Sequence, residues 1–245
     1  CYLNPISKRI TRNHLQRIKH LGRALNICAA TSRYYTSNNI QSSYIPLPIR
    51  DFFDTKLVRK RFVHPNPVNI VIGFGDYAGL GTQIGMDFIL KNILPQLESI
   101  ETKNNYILNV YGKGLTPKYR EKLLRFSSVK IHGFVDDIDA EFSKNIAYLF
   151  CNNVGTYEGT YTRVSYSLSA GICLIAHENL RKSVPELKHK NNCLLGVTSD
   201  EILINLIELI NYPEKFKGLS SNARKTYLTS FSPSEVAKKI IQPKL

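Results

Sequence analysis

The sequence has few acidic residues and lacks several features that would assign a protein to a class at once. Its 245 residues include 19 Asp and Glu against 33 Lys and Arg, which gives a formal net charge of +14. No apolar run approaches the ~20 residues that a helix needs to span a bilayer, and no secretory signal is visible. The remaining composition, 43% hydrophobic and 21% charged, is ordinary for a globular protein of one or two domains.

Cysteine usage argues against a disulfide framework and against a metal site. The cysteines are odd in number, widely spaced and without a Cys-x-x-Cys pair: Cys1, Cys28, Cys151, Cys173 and Cys193. Four of them lie in apolar runs, which predicts reduced, buried thiols in a cytoplasmic protein. The six histidines are scattered, so we expect no bound metal. Because the chain begins with Cys1 and not with methionine, we expect a fragment or a processed product.

The excess of positive charge is concentrated in the first quarter of the chain. Residues 1–66 contain twelve Lys and Arg and two acids, a net charge of +10, which leaves +4 for residues 67–245. Such a segment favours an anionic partner, which is a membrane surface, a nucleic acid or a phosphorylated substrate. The alternative is a basic face that is simply solvated.

The hydrophobic pattern predicts alternating strands and helices. Strands are predicted over 26–30, 43–47, 69–73, 106–111, 129–131 and 193–197, with two more at the ends of the unit 146–177. Helices are predicted over 11–25, 83–101, 117–126, 136–144, 198–210 and 213–229 and from 232 onward, with a kink at Pro95 and a linker over 49–66. This alternation predicts an α/β protein with a Rossmann-like parallel sheet and helices on both faces.

The unit 146–177 is the most informative part of the chain. Its loop holds a lone acid, Glu158, and Arg163 follows where a helix should begin. A helix start presents unpaired backbone N–H groups, and ligands of open α/β sheets bind where strands end. The unit therefore predicts a site for an anionic ligand. The alternative is that Thr160 and Thr162 merely cap the helix and that Glu158 is solvated.

Glycines cluster after the first strand of this region, in the segment GFGDYAGLGTQIG. Their spacing does not meet the dinucleotide fingerprint, no acid lies suitably after the second strand, and a Walker lysine is lacking. We therefore interpret these glycines as allowing a close backbone approach or a tight turn.

Seven segments follow one another in a recognisable order. They are NIVIGFG, FILKNILPQL, ILNVYGKG, VKIHGFVDDI, the unit 146–177, VPELKHKNNCLLGV and SNARKTYLTSFSPSEVAKKI. In this order they resemble the C-terminal, nucleotide-sugar-binding domain of group 1 retaining glycosyltransferases, which have the two-domain GT-B fold. Upstream, LNICAATSRYYTSNN and SSYIPLPIRDFF resemble the end of the N-terminal domain. The resemblance thus implies a remnant of that domain and a linker over 1–66, and the Rossmann-like donor domain over 67–245.

The resemblance also implies a donor site that can be named residue by residue. In the family, the first acid of the loop touches the donor hexose, and Glu158 matches it. The next backbone amides hold sugar and diphosphate, and residues 160–162 match them. Arg163 falls where some relatives carry a lysine near the phosphates. The implied donor-binding set is Glu158, Gly159, Thr160, Tyr161, Thr162, Arg163, Tyr166, Gly73, Gly75, Gly112, Lys113, Phe134 and Val135.

Two departures from the family pattern weaken this match. The second acid, which binds the ribose in the family, is replaced by Tyr166, and the usual Arg/Lys pair after the first strand is not evident. Arg163, the helix dipole and Lys113 would then neutralise the diphosphate without a metal. The alternatives are a solvated turn residue for Lys113 and packing against the sheet for Tyr166.

The sequence therefore predicts a fragment of a metal-independent glycosyltransferase that uses a nucleotide sugar as co-substrate, has no cofactor and is inactive alone. A glycan, lipid or other acceptor would bind through the missing N-terminal domain, and catalytic residues cannot be named. The alternative is a non-catalytic nucleotide-sugar-binding or scaffold domain of the same fold, which Tyr166 favours. A nucleic-acid-binding domain ranks last, because the basic segment lacks interleaved aromatic residues.

The basic segment predicts weak binding at the inner membrane face. Near a modest apolar stripe lie Lys8, Arg9, Arg12, Arg17, Lys19 and Arg23. Each basic group near an anionic leaflet contributes up to about 1 kcal/mol, and salt screens it. We expect the chain to co-sediment with anionic vesicles at low salt and not at high salt, whereas residues 67–245 alone should not. If it does not bind at low salt, the charges are a solvated face and the stripe faces the N-terminal domain.

Overall fold

A computed structural model of the chain describes residues 5–51, 61–63, 65–154 and 162–241. The first of these ranges forms helix α1 (Pro5–His20), strand β1 (Ala24–Asn26), helix α2 (Ala29–Ser37) and strand β2 (Ser42–Tyr44). The two strands pair in parallel with Ala24 opposite Ser42. Because α2 connects two parallel strands and packs on them, the unit is a small β-α-β crossover.

Two sequence predictions in this range are wrong. The predicted helix 11–25 ends at His20, because Gly22 adopts φ +77°, a left-handed conformation that stops a helix. The predicted strand 26–30 ends at Asn26, and Ala29 and Ala30 instead begin α2 and are buried. A run of four or five apolar residues cannot by itself distinguish a buried strand from a buried helix turn.

The alternation after residue 68 forms a six-stranded sheet, which confirms the predicted fold class. Its strands are β3 (Val68–Asp76), β4 (Tyr106–Lys113), β5 (Val129–Gly133), β6 (Ala147–Phe150), β7 (Cys173–His177) and β8 (Leu194–Gly196). They lie in the order β5-β4-β3-β6-β7-β8, and every described pair is parallel. This is the strand order of a Rossmann fold, in which the chain builds outward from the central strand in one direction and then in the other.

Helices cover both faces of this sheet. They are α3 (Leu80–Phe88), α4 (Leu94–Glu98), α5 (Pro117–Leu123), α6 (Ile138–Ser143), α7 (Thr162–Ser169), α8 (Leu180–Ser183), α9 (Ser199–Asn211), α10 (Lys217–Thr226) and α11 (Pro233–Ile241). A π-helical turn over Ile89–Ile93 joins α3 to α4, a 3-10 turn over Pro213–Phe216 precedes α10, and a second π-helical turn over Tyr227–Phe231 follows it.

Consecutive strand residues belong to two separate hydrophobic cores, one on each face of the sheet. Ile70 and Leu149 lie in the first core, whereas Val71 and Tyr148 lie in the second. All four are at most 2% exposed. A strand that is buried on both faces reads as a continuous apolar run, which is why the sequence indicates these strands so clearly.

Local signals set several helix boundaries. Pro95 lies in the first turn of α4, directly after the π-helical turn. The irregularity in this helix, predicted as a kink at Pro95, therefore lies one turn before the proline. The Thr198 hydroxyl accepts the Glu201 amide at 3.2 Å, and the Glu201 carboxylate accepts the amide of Val197 at 2.6 Å. The predicted helix start at Thr198 is therefore confirmed.

None of the helices within the described ranges is both long enough and apolar enough to cross a membrane. The assignment of residues 1–66 and 67–245 to two domains stays a prediction, and part of the predicted linker lies outside the described residues.

The four internal cysteines should not react with thiol reagents in the folded protein. Cys28, Cys151, Cys173 and Cys193 are buried and free. Burial raises the pKa of the Cys173 and Cys193 thiols to about 12 and also raises the pKa of Cys151. Burial blocks access of a reagent to all four thiols, and a raised pKa also keeps Cys151, Cys173 and Cys193 out of the reactive thiolate form, so we expect no labelling near pH 8. A Cys1→Ser variant should show four reactive thiols only after unfolding in guanidinium, and rapid labelling of the native protein would contradict their burial.

Candidate functional site

The reversal of strand order places a crevice beside the central strand. The connection from β3 leads to β4 on one side, whereas β6 returns to the other side of β3. The carboxyl ends of β3 and β6 therefore mark the switch point of the sheet. In open α/β sheets this switch point is where ligands bind.

A cavity of about 320 Å³ opens at this carboxyl edge, above the ends of β3, β4 and β5. Its lining consists of Phe74, Gly75, Asp76, Gly112, Lys113, Phe134, Val135, Asp136 and Ile138. Five members of the donor-binding set that the resemblance implies therefore lie together around one space. Wider depressions of about 590 and 510 Å³ lie beside Phe62 and beside Lys91, away from the switch point.

Glycines allow the parts of this edge to approach one another. A Cβ on Gly112 would lie 1.9 Å from the Gly75 carbonyl oxygen, and a Cβ on Gly73 would lie 2.1 Å from the Tyr77 hydroxyl. Gly75 and Gly112 also have φ values of +113° and +122°, which other residues rarely adopt. The interpretation that the glycines allow a close approach is confirmed, and the approaching groups belong to this chain.

Arg163 lies against Gly75 from the other side of the switch point. A Cβ on Gly75 would be 2.7 Å from its Nη2 atom, and this atom donates to the Thr82 hydroxyl at 3.0 Å. Burial raises the pKa of Tyr148 to about 12 and raises that of Tyr77, and the Arg163 charge beside both hydroxyls opposes these shifts. In the part of the chain that the structure describes, hydroxyls hold the guanidinium in place without neutralising its charge.

The position of Arg163 in its helix points to the same conclusion. It is the second residue of α7, where the helix dipole disfavours a cation. Among the described residues, no carboxylate lies within ion-pair distance of Arg163. A positive side chain and a positive helix end together suit a bound anion.

Other predicted donor-binding residues are placed as follows. Glu158, Gly159, Thr160 and Tyr161 lie outside the described residues, so their part of the site stays a prediction. Thr162 is exposed at the start of α7. The Lys113 ammonium lies 3.8 Å from the Asp76 carboxylate, with both side chains at least half exposed, so this pair contributes little to stability.

Tyr166 is packed in the second core next to the cavity. It is 8% exposed, and its ring centroid lies 5.3 Å from that of Phe74 and 5.0 Å from that of Phe142. Its hydroxyl donates to a carboxylate oxygen of Asp139. This is the packing that the alternative interpretation predicts for Tyr166.

Sequence reasoning missed several residues of this edge. Phe74, Asp76, Asp136 and Ile138 line the cavity, and Asp139 holds Tyr166. The acidic run DDID after GFV was a usable signal, because acids are scarce in this chain. The described residues contain no cluster of three or more His, Cys, Asp or Glu that could hold a metal.

The fold is that of known glycosyltransferase domains, although no family model and no curated protein matches the chain by sequence. HepE of Anabaena, solved in complex with UDP and glucose, matches with a TM-score of 0.66 and 14% identity, over 90% of this chain and 62% of HepE. The lipopolysaccharide outer core galactosyltransferase WaaB matches with a TM-score of 0.66 and 15% identity, over 90% and 60%. The C-terminal domain of a group 1 glycosyltransferase, LpcC of Francisella tularensis, matches with a TM-score of 0.52 and 16% identity. This match covers 76% of this chain and 96% of the LpcC domain.

These likenesses confirm the fold that the resemblance implied, a GT-B glycosyltransferase C-terminal domain. The chain spans less than two thirds of HepE and WaaB, but it covers nearly all of the LpcC domain.

Gly112→Ala should destabilise the protein more than Gly133→Ala. Both glycines have positive φ, but a Cβ at Gly112 would collide with the Gly75 carbonyl, whereas nothing lies within 4 Å of one at Gly133. Left-handed backbone alone costs roughly 1–2 kcal/mol, and overpacking adds about 1–3 kcal/mol. Urea unfolding of the two variants measures the difference. Equal losses of unfolding free energy would show that β3 and β4 are not in contact there.

Proposed function

We propose that this chain contains the donor-binding domain of a glycosyltransferase and that a nucleotide sugar binds at the carboxyl edge of its sheet. The observation that supports this most is the juxtaposition, across Gly75, of an apolar cavity with Arg163, which has no carboxylate partner among the described residues. A nucleotide sugar has the matching parts, which are a planar base and a charged diphosphate.

The base would occupy the cavity. Its walls include Phe74, Phe134, Val135 and Ile138, which give an aromatic ring apolar contact. Backbone of β4 at Gly112 lies at the same wall and offers polar groups without a side chain in the way. HepE, which shares the fold, is solved with UDP and with UDP-glucose, which agrees with a donor of this class.

The diphosphate would lie between the cavity and α7, next to Arg163. Glycosyl transfer breaks the bond between the anomeric carbon and the diphosphate oxygen, so negative charge accumulates on the leaving diphosphate. A guanidinium and a helix start that are already in place stabilise this charge without reorganisation. The sugar itself would extend toward Glu158, as the resemblance implies, and the reaction would need neither a metal nor a cofactor.

The acceptor would bind in the N-terminal domain, of which the β1–β2 unit would be the last part. Residues 1–245 alone should therefore bind a donor and not transfer its sugar, because no second domain holds the acceptor hydroxyl in line. A cytoplasmic location with peripheral attachment to the inner membrane face belongs to the same proposal, through the basic segment.

A second candidate function is a donor-binding or scaffold domain without catalysis. The observation that favours it is Tyr166, whose ring and hydroxyl are engaged by Phe74, Phe142 and Asp139 where the family carries an acid for the ribose. The full-length protein separates the two, because the enzyme hydrolyses or transfers the donor sugar and the scaffold only binds it.

Arg163→Ala should weaken donor binding by about 10- to 150-fold, because loss of one charge-assisted hydrogen bond costs roughly 1.5–3 kcal/mol. Isothermal titration with UDP, GDP, ADP and their sugar conjugates measures the dissociation constant. Arg163→Lys should retain part of the affinity. Arg120→Ala, on the exposed side of α5, is the control and should not change it.

Melting curves of each variant report whether it is folded. Unchanged affinity in folded Arg163→Ala would remove Arg163 from the site. Failure of the wild-type chain to bind any of these ligands would contradict the proposed donor site itself.

A further inference from the structure

The segment that leads out of the β1–β2 unit is attached to the wall of the cavity. Arg50, at its end, donates from Nη2 to the Asp139 carboxylate at 2.5 Å. Asp139 lies in the first turn of α6, one residue after Ile138, which lines the cavity. One ion pair thus connects residues far apart in sequence, and one of its partners lies beside the cavity.

The same carboxylate is shared with the helix that carries Arg163. Its second oxygen accepts the Tyr166 hydroxyl from α7. Tyr166 lies three residues after Arg163, so both side chains project from the same side of the helix. Asp139 therefore fixes α6 and α7 relative to each other, and Arg50 fixes Asp139.

The ring of Tyr166 completes a path to the cavity. It packs on Phe74, whose ring forms part of the cavity wall, with 5.3 Å between the centroids. We define Arg50, Asp139, Tyr166 and Phe74 as the relay. Each of its members contacts the next, and the path runs from residue 50 to the wall of the cavity.

A second contact holds the same segment to the other end of α7. Asp51 accepts two hydrogen bonds from Arg224, at 2.6 and 2.5 Å, and Arg224 Nη1 also donates to the Ser169 carbonyl at 3.0 Å. The Ser169 hydroxyl in turn donates to the Arg50 carbonyl at 3.3 Å. Arg50 thus holds α7 at Tyr166, through Asp139. Asp51 holds it at Ser169, the last residue of α7, through Arg224.

We propose that Arg50, Asp139 and Tyr166 are positioning residues that make the affinity for the donor depend on where the segment around residue 50 lies. This inference rests on the proposed function, because it concerns the same cavity. A shift of the β1–β2 unit would displace Arg50, release Asp139 and loosen the fit between Tyr166 and Phe74. The family that the chain resembles carries a ribose-binding acid at this position. A tyrosine would stand here instead because it links the position of Arg50 to the cavity wall.

The test compares variants that break the relay at two points. Arg50→Gln removes the charge of a side chain that is 75% exposed, so it should hardly change the melting temperature. Tyr166→Phe keeps the ring on Phe74 and removes only the hydroxyl. Arg50→Lys preserves the ion pair. Arg181→Gln is the matched control, because it breaks a similarly exposed ion pair with Glu178 outside the relay.

We expect Arg50→Gln and Tyr166→Phe each to weaken binding of the tightest nucleoside diphosphate about threefold to tenfold. The double variant should bind the nucleoside diphosphate as tightly as whichever single variant has the lower affinity, because both changes interrupt one path. Arg50→Lys should stay within about twofold of wild type, and Arg181→Gln should be unchanged. Unaltered affinity in Arg50→Gln, or strictly additive effects in the double variant, would overturn the proposal.

Hydrogen exchange provides a readout that needs no nucleotide. In Arg50→Gln, amides of α6 and α7 should exchange faster than in wild type, whereas those of α9 should not change. Equal exchange of α6 and α7 in both proteins would overturn the relay, whether or not the wild type binds a donor. If the wild type binds no nucleotide but exchange increases as expected, the proposed function and the effect on donor affinity both fail, and only the coupling of α6 and α7 to Arg50 stands.

Discussion

The structure depends on one close approach, that of β3 to β4 at Gly75 and Gly112. There is no room for a side chain at either position. A Cβ at Gly112 would strike the Gly75 carbonyl, and a Cβ at Gly75 would strike the Arg163 guanidinium. This contact brings the ends of two parallel strands together and leaves the cavity open on one side and a place for Arg163 on the other. The candidate site is therefore built by backbone, and the side chains around it are arranged by that contact.

Arginines hold α7 at both ends, but with opposite consequences. At its carboxyl end, the buried Arg61 donates to the Ala170 carbonyl at 2.8 Å, and Arg224 donates to the Ser169 carbonyl. Cations there satisfy carbonyl groups that a helix end leaves unpaired and oppose the negative end of its dipole. Arg163 at the amino end gains nothing from the dipole. Within the described structure, hydroxyls of Thr82 and Tyr148 hold this cation in its unfavourable position, and this supports the proposed anion site.

The fold could be predicted from sequence because both faces of its sheet are buried. The runs IAYLFC and ICLIA are apolar at every position, and each is bounded on both sides by a polar residue or a glycine. Helix α2 was missed because Ala29 and Ala30 carry no periodic signal, and their helix is fixed by packing on β2. The relay was missed for a similar reason. Arg50 and Asp139 are 89 residues apart, and no local pattern shows that they meet.

The candidate site was predictable in part. The glycines and apolar residues of its wall could be assigned from sequence, whereas the roles of its charged residues could not. Gly75, Gly112, Phe134 and Val135 were assigned through the order of motifs, and the cavity brings them together because strand ends in a parallel sheet meet at one edge. Roles of charged groups were harder to assign, since a charge acts through partners that only the folded chain reveals. Tyr166 shows this most clearly. Read as a lost acid, it indicates a degenerate site, whereas its hydroxyl holds Asp139 in place beside the cavity. The acid that the resemblance leads one to seek on α7 is absent there, but Tyr166 binds an acid on α6, Asp139, which follows the cavity-lining Ile138 in the chain.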